Sequence, residues 1–241
     1  MAWNRRAFLT ATAVGALAAA PSAAADAPRP LPPDVPRPRP PDAPRSTSSR
    51  SSPATARAAL DALLAGNRRF ASGHCRHPHQ DGGRRRSPAP GQDPFAVIVG
   101  CVDSRVPPEL VFDQGLGDLL CIRTAGEVLD EAVLGSVQYG VQELGIPLVL
   151  VLGHERCGAV AATLDHLRTG ARVPDHLQLL VAEIAPAARR TRAVPGDWAE
   201  HAMRAHTAWV RDAIRADPAF APAHIAAARF DLDTGLVSLL P

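Results

Sequence analysis

The chain has 241 residues, 46% hydrophobic and 21% charged, enough to build one substantial core, which excludes a wholly disordered chain. Its 26 basic residues, all arginine, stand against 24 acidic ones, and a formal charge of +2 is too small an excess for a typical nucleic-acid binder. Four cysteines (Cys75, Cys101, Cys121, Cys157) are too few for a small disulfide scaffold and point to metal or catalytic use.

The charge is unevenly placed. Residues 1–53 hold seven arginines and three aspartates, net +4, so residues 54–241 are mildly acidic at −2. Asn4-Arg5-Arg6-Ala7-Phe8-Leu9, a weakly apolar stretch over 11–20 and the small-residue site around Ala23 and Ala25 follow the order of a secretory signal. Paired arginines before Phe-Leu resemble a twin-arginine export signal, which implies residues 1–25 as the signal and a periplasmic or extracellular address. The apolar run is about half the roughly 20 residues a spanning helix needs, so no permanent membrane span is expected. Residues 26–53, with ten prolines among Arg, Asp and Ser, cannot bury a core and read as a disordered linker.

The folded domain is expected over 54–241. Leu60, Leu63, Leu64 and Phe70 have helical spacing, ending at Ser72-Gly73. Residues 74–94 lack periodicity and read as an exposed loop. Phe95 to Gly100 is an apolar run of the length expected for a strand buried on both faces, and Leu119 to Ile122 is a second. Val133, Leu134, Val137, Val141 and Leu144 predict a helix over 131–144, stopped by Gly145. A third strand follows over 147–153, then helices over 158–167 and 175–185 and one opened by the capping pattern Asp197-Trp198-Ala199-Glu200. Residues 225–230 and 236–240, around the turn Asp233-Thr234-Gly235, predict a closing hairpin. The fold class is therefore α/β, a mainly parallel central sheet flanked by helices with a C-terminal antiparallel strand.

Two segments carry ligand-type residues directly after buried strands, where open parallel sheets build their sites. They are Cys101-Val102-Asp103-Ser104-Arg105 and His154-Glu155-Arg156-Cys157-Gly158. Cys101, His154 and Cys157 form a Cys2His set suited to zinc, three protein ligands with a fourth position left open as catalytic sites require. Cys157 opens a predicted helix, whose free N–H groups and dipole favour its thiolate. A water in the open position would have its pKa brought to about 7, giving a hydroxide nucleophile.

The combination C-x-D-S-R-V and, some fifty residues on, G-H-x-x-C-G resembles the β-class carbonic anhydrases. The resemblance takes in roughly 56–240, including Gly66-Asn67-Arg68-Arg69-Phe70, Arg105-Val106-Pro107-Pro108-Glu109, the Arg123 segment and the Asp233-Thr234-Gly235 turn. It implies a zinc enzyme, one ion per chain on Cys101, His154 and Cys157, that hydrates carbon dioxide reversibly to bicarbonate and a proton through zinc-bound hydroxide. It implies Asp103 and Arg105 as the catalytic dyad beside the metal. A nearby carboxylate can accept the hydroxide proton, and a bidentate arginine can hold that carboxylate ionised. In some members the matching Asp ligates zinc and closes the site; both arrangements stay open here.

Gln92, nine residues before Cys101, matches a glutamine that hydrogen-bonds substrate in plant-type members, and Tyr139 an aromatic lining that pocket. Ile98 stands where the bicarbonate-inhibited subgroup carries Trp, which favours the always-open subtype. Thr124 and Leu120 depart from the usual Asn and Phe. In relatives the pocket is shared across a dimer, which implies a homodimer or dimer of dimers in which Gln92 or Tyr139 serves the neighbour's zinc. The alternatives are a carbon disulfide or carbonyl sulfide hydrolase on the same fold, and a non-catalytic zinc-binding envelope protein. His74, Cys75, His77 and His79 read as an ordinary polar loop, Arg84-Arg85-Arg86 as a solvated run, and Cys121 as a core thiol.

Overall fold

The computed structural model describes residues 53–86 and 91–241. The expected signal and all of the expected linker except Pro53 lie outside the described residues. Among the described residues no helix is long and apolar enough to cross a membrane.

Five strands, β1 (Ala96–Cys101), β2 (Leu119–Thr124), β3 (Leu148–His154), β4 (His224–Phe230) and β5 (Val237–Leu239), form one sheet in the order β2-β1-β3-β4-β5. The first four are parallel and β5 is antiparallel to β4. β1 and β3 are buried along their whole length, which is why they read as unbroken apolar runs rather than alternating ones. On one face Ile98, Leu148, Leu150 and Leu152 pack with Leu63 of α1 (Ala56–Ala71) and Val111 of α3 (Pro108–Val111). On the other, Val97, Val99, Val149 and Val151 meet Val137 of α4 (Glu131–Gln138) and Val210 and Ile214 of α7 (Trp198–Ala216). Two helices, α5 (Gly158–Thr169) and α6 (Leu177–Thr191), complete the crossover from β3 to α7.

Several helix ends follow their caps. Thr55 accepts from the Ala58 N–H, Asp130 from that of Val133, and Asp197 from those of Ala199 and Glu200, each satisfying a donor the first helical turn leaves free. Asn67, buried on α1, donates to the Val111 and Gly235 carbonyls and accepts from the Val237 N–H, stitching α1 to α3 and the closing hairpin. Gly66 beside it is required by space: a Cβ there would stand 1.8 Å from the Phe112 carbonyl oxygen.

Four expectations need correction. Residues 74–94 are not all loop, because α2 (Gly82–Arg86) forms one short turn whose first N–H groups include Arg84, held by Asp81. The helix expected over 131–144 is α-helical only to Gln138 and closes as a π-helical turn over Tyr139–Glu143. The helix expected to end at Ala185 continues through Pro186 to Thr191. Proline removes one hydrogen bond there, but Ala185, Ala187 and Ala188 are buried, and that packing prevails over the local break. Cys121 is half-buried rather than core, because β2 is an edge strand.

Candidate metal centre

The chain leaves β1 for β2 on one side and β3 for β4 on the other, so the C-terminal ends of β1 and β3 flank the point where the strand order reverses. That is where parallel α/β sheets place their ligands. Cys101 is the last residue of β1 and His154 the last of β3, while Cys157 caps α5 three residues later. Their ligand atoms lie within 4.8 Å of one another, and all three residues are buried.

The imidazole is pre-set as a ligand. His154 Nδ1 faces the Glu155 carbonyl oxygen at 2.8 Å, a partner that only accepts, so Nδ1 carries the proton. Nε2 is left with its lone pair toward the thiols, buried and without a hydrogen-bond partner. An orphaned nitrogen beside two soft sulfur donors fits zinc. Cys101 is the more acidic thiol, drawn down first by its contact with Cys157, and its sulfur accepts from the Gly126 N–H at 3.3 Å. The Cys157 thiol is pushed up by its contact with Cys101 and by burial. Burial draws the His154 imidazole down, and the adjacent Cys101 thiolate outweighs it, leaving a net rise.

Beside this set, Asp103 Oδ2 stands 3.9 Å from His154 Nε2. Arg105 donates from Nε to Oδ1 at 2.9 Å and from Nη2 to Oδ2 at 2.7 Å, and this fork holds the Asp103 carboxyl down at about 2. Arg105 also reaches the Arg156 carbonyl at 3.3 Å, and Arg156 is paired with Asp233 of the closing turn.

The structure gives a place to one residue whose segment carried the resemblance without a role, Arg123, and adds one that the motifs did not single out, Glu127. Arg123 on β2 donates to the carbonyls of Cys101 and Asp103, both at 2.7 Å, and fixes the backbone between ligand and dyad. Its signal is an arginine closing an otherwise apolar strand. Glu127 is buried with φ of 52° and one oxygen unpartnered, and burial pushes its carboxyl well above the usual range; no pattern in the sequence marks it.

Gln92 and Tyr139 are not brought to this cluster within one chain. Gln92 is exposed ahead of β1, at the end opposite Cys101, and Tyr139, half exposed, opens the π-helical turn next to Gly140, which packs on Val97 and Leu120 near the starts of β1 and β2. Of the histidine-rich loop, His79 Nδ1 lies 2.7 Å from Asp118 Oδ1.

Residues 96–236, more than half of the chain, match the family model for carbonic anhydrase. The chain belongs to the β-class carbonic anhydrase family. It is 50% identical over 129 residues to carbonic anhydrase 2 of Mycobacterium tuberculosis, covering 54% of this chain and 62% of that protein. The carbonic anhydrase of Mycolicibacterium smegmatis is likewise 50% identical over 129 residues, 54% of this chain and 63% of the relative. The match thus spans somewhat less than two thirds of these relatives' own length. Among solved structures, the fold is similar to tetrameric β-carbonic anhydrases of the ascomycete Sordaria macrospora, with TM-score 0.59, 19% identity and coverage of 75% of this chain and 96% of that one. It is also similar to the Coccomyxa β-carbonic anhydrase in complex with acetazolamide, with TM-score 0.56, 21% identity and coverage of 75% and 86%.

Proposed function

We propose that the chain is an exported, zinc-dependent carbonic anhydrase that interconverts carbon dioxide and bicarbonate. The observation that carries this reading is the convergence of Cys101, His154 and Cys157 with the Asp103–Arg105 fork at one end of the parallel sheet. Cys101, His154 and Cys157 would hold one zinc ion, which supplies Lewis acidity and a hydroxide nucleophile near neutral pH.

The protein's own part follows from the dyad. Asp103 is ionised at any physiological pH, so its Oδ2 only accepts, and it can take the O–H of an attacking hydroxide and turn the lone pair toward carbon. Arg105 commits both carboxylate oxygens, which keeps Asp103 aimed and charged and favours the open arrangement over one in which Asp103 closes the metal. Burial of the ligand set limits water to the open side. Because Gln92 and Tyr139 lie away from their own chain's cluster, they fit best as substrate-placing residues supplied to a neighbouring subunit, so a homodimer or a dimer of dimers is part of the proposal.

Stopped-flow carbon dioxide hydration, with zinc quantified, tests the reading. Hydration at neutral pH with one zinc per chain supports it. Activity confined to alkaline pH would assign Asp103 to the metal, and a zinc-loaded chain inactive at every pH would overturn it and send the search to sulfur analogues of carbon dioxide. Secretion of a reporter fused to residues 1–53, abolished when Arg5 and Arg6 are replaced by lysine, tests the export route.

A further inference from the structure

A buried histidine that the proposed chemistry does not use is joined to one of the candidate metal ligands through a single residue, Gly126. His206, on the inner face of α7, is 1% exposed, and its ring stacks on Trp209 at 5.9 Å between centroids. Its Nε2 is 2.8 Å from the Gly126 carbonyl oxygen. A carbonyl only accepts, so Nε2 carries the proton, and Nδ1 is left bare and without a hydrogen-bond partner. The same glycine donates its own N–H to Cys101 Sγ at 3.3 Å. Gly126 is thus gripped at both of its peptides, on one side by a ligand sulfur and on the other by His206.

The grip has something to resist. Gly126 (φ 68°) and Glu127 (φ 52°) are consecutive left-handed residues, a conformation that costs glycine nothing and costs glutamate free energy. Rotating the peptide between them by about half a turn would free Glu127 from that region. That same rotation would swing the Gly126 carbonyl away from His206 and leave a buried imidazole N–H unpaired. The Gly126 position is itself tightly packed, since a Cβ there would meet Ile184 Cδ1 at 2.9 Å and Ala159 Cβ at 3.0 Å. His206 and Cys101 hold the carbonyl and the N–H of this one residue, so a shift of the Gly126 backbone away from His206 is felt at the N–H that faces Cys101.

We infer that His206 is a positioning residue for the metal centre: its hydrogen bond to the Gly126 carbonyl locks the Gly126–Glu127 turn and so keeps the Gly126 N–H on the Cys101 sulfur. The inference rests on the reading of Cys101 as a metal ligand. Groups that orient a ligand from behind typically alter metal affinity by about 10–100-fold when removed.

The test uses cobalt(II) as the probe on the full chain, His206→Phe and His206→Gln. Phenylalanine keeps the aromatic volume and the stack on Trp209 but lacks the donor, whereas glutamine offers an amide N–H near the Nε2 position. The expected result is a cobalt dissociation constant about 10–100-fold weaker for His206→Phe, with a shifted thiolate-to-cobalt absorption band, and recovery of both toward wild type in His206→Gln. Equal affinity and an unchanged band in His206→Phe would overturn the inference, as would a glutamine variant no better than phenylalanine. Should His206→Phe not fold, His206→Met takes its place. Independently of any variant, the cadmium-113-loaded wild-type chain should show scalar coupling between the metal and the Gly126 amide proton through the N–H···S bond, and its absence overturns the inference. A wild-type chain that binds no cobalt at all would instead sink the metal-site reading.

Discussion

Arg105 holds Asp103 by both carboxylate oxygens, and the oxygen it grips at 2.7 Å is the one that stands 3.9 Å from His154 Nε2. Two residues apart in a tight loop, they form a forked pair beside His154, with the Arg105 N–H also donating to Asp103 Oδ1.

Removing the arginine should therefore cost orientation rather than metal. A hydrogen bond to a charged group contributes about 1.5–3 kcal/mol, so Arg105→Ala is expected to slow hydration about 10–100-fold with zinc content unchanged. The Asp103 carboxyl, freed of the fork, moves up from about 2 toward its ordinary value of about 3.9, still ionised at neutral pH. The acid limb of the rate profile should stay outside the neutral range while the plateau drops. Arg105→Lys, which lacks the fork, should recover only part of the rate. Stopped-flow profiles with metal analysis on the same samples check this, and zinc loss in Arg105→Ala would contradict it.

Metal should be part of the folded state's stability. Binding to the native chain alone adds RT ln(1 + [L]/Kd), about 2.7 kcal/mol at a hundredfold excess over Kd. Chelation of the wild-type chain should lower the Tm, and zinc should restore it in a concentration-dependent way. Cys101→Ala and Cys157→Ala should abolish that zinc response, and differential scanning calorimetry with and without zinc reads it.

A second buried carboxylate makes a prediction about acid stability. Asp113 accepts from the Arg76 and His77 N–H groups and from Arg69, while its side chain is only 1% exposed. Burial alone would raise its pKa, and those donors more than offset it, so the folded value lies below the unfolded one. The contribution is therefore complete above about pH 3.9 and is lost as pH falls through the lower folded value. Asp113→Asn should destabilise the chain at neutral pH by about 3 kcal/mol, the lower end for a broken buried pair because Arg69 is partly exposed. Its stability should also change less between pH 6 and 3 than the wild type's. Urea unfolding across that range tests both.

The alternation of strand and helix was legible because β1 and β3 are buried on both faces and so appear as unbroken Val, Ile and Leu runs. Cys101 and His154 were legible as one site because each ends such a strand. What the sequence could not disclose was set by packing between distant segments. Pro186 is a helix breaker by local rule, yet buried alanines carry α6 past it. His206 looks like one more polar position on an amphipathic helix until the fold brings it to Gly126, 80 residues away. Arg123 could be noticed as a charge at a strand end, but its bonds to the Cys101 and Asp103 carbonyls depend on the parallel register that sets Cys101 beside Thr124. The π-helical turn at Tyr139 follows no composition rule.

That same register shapes the last prediction. Gln92 precedes β1 by four residues while Cys101 ends it, and a strand advances about 3.3 Å per residue, so the two lie roughly 20–30 Å apart along the chain direction. Gln92 therefore cannot serve the cluster of its own chain without large rearrangement, and Tyr139 sits beside Gly140, which packs on Val97 and Leu120 near the starts of β1 and β2. If they act on a neighbour's cluster, two inactive variants should complement each other. Gln92→Ala/Tyr139→Ala keeps its ligand set but lacks the donated residues, and Cys101→Ala keeps the donated residues but lacks the metal. Co-refolded at equal amounts, with random pairing, half of the dimers are mixed, and each mixed dimer contains one complete site. About a quarter of the wild-type hydration rate per chain is then expected, against the residual rate of either variant alone. A mixture no more active than the mean of its two parents, with mixed dimers verified by mass spectrometry, would remove both residues from the substrate pocket.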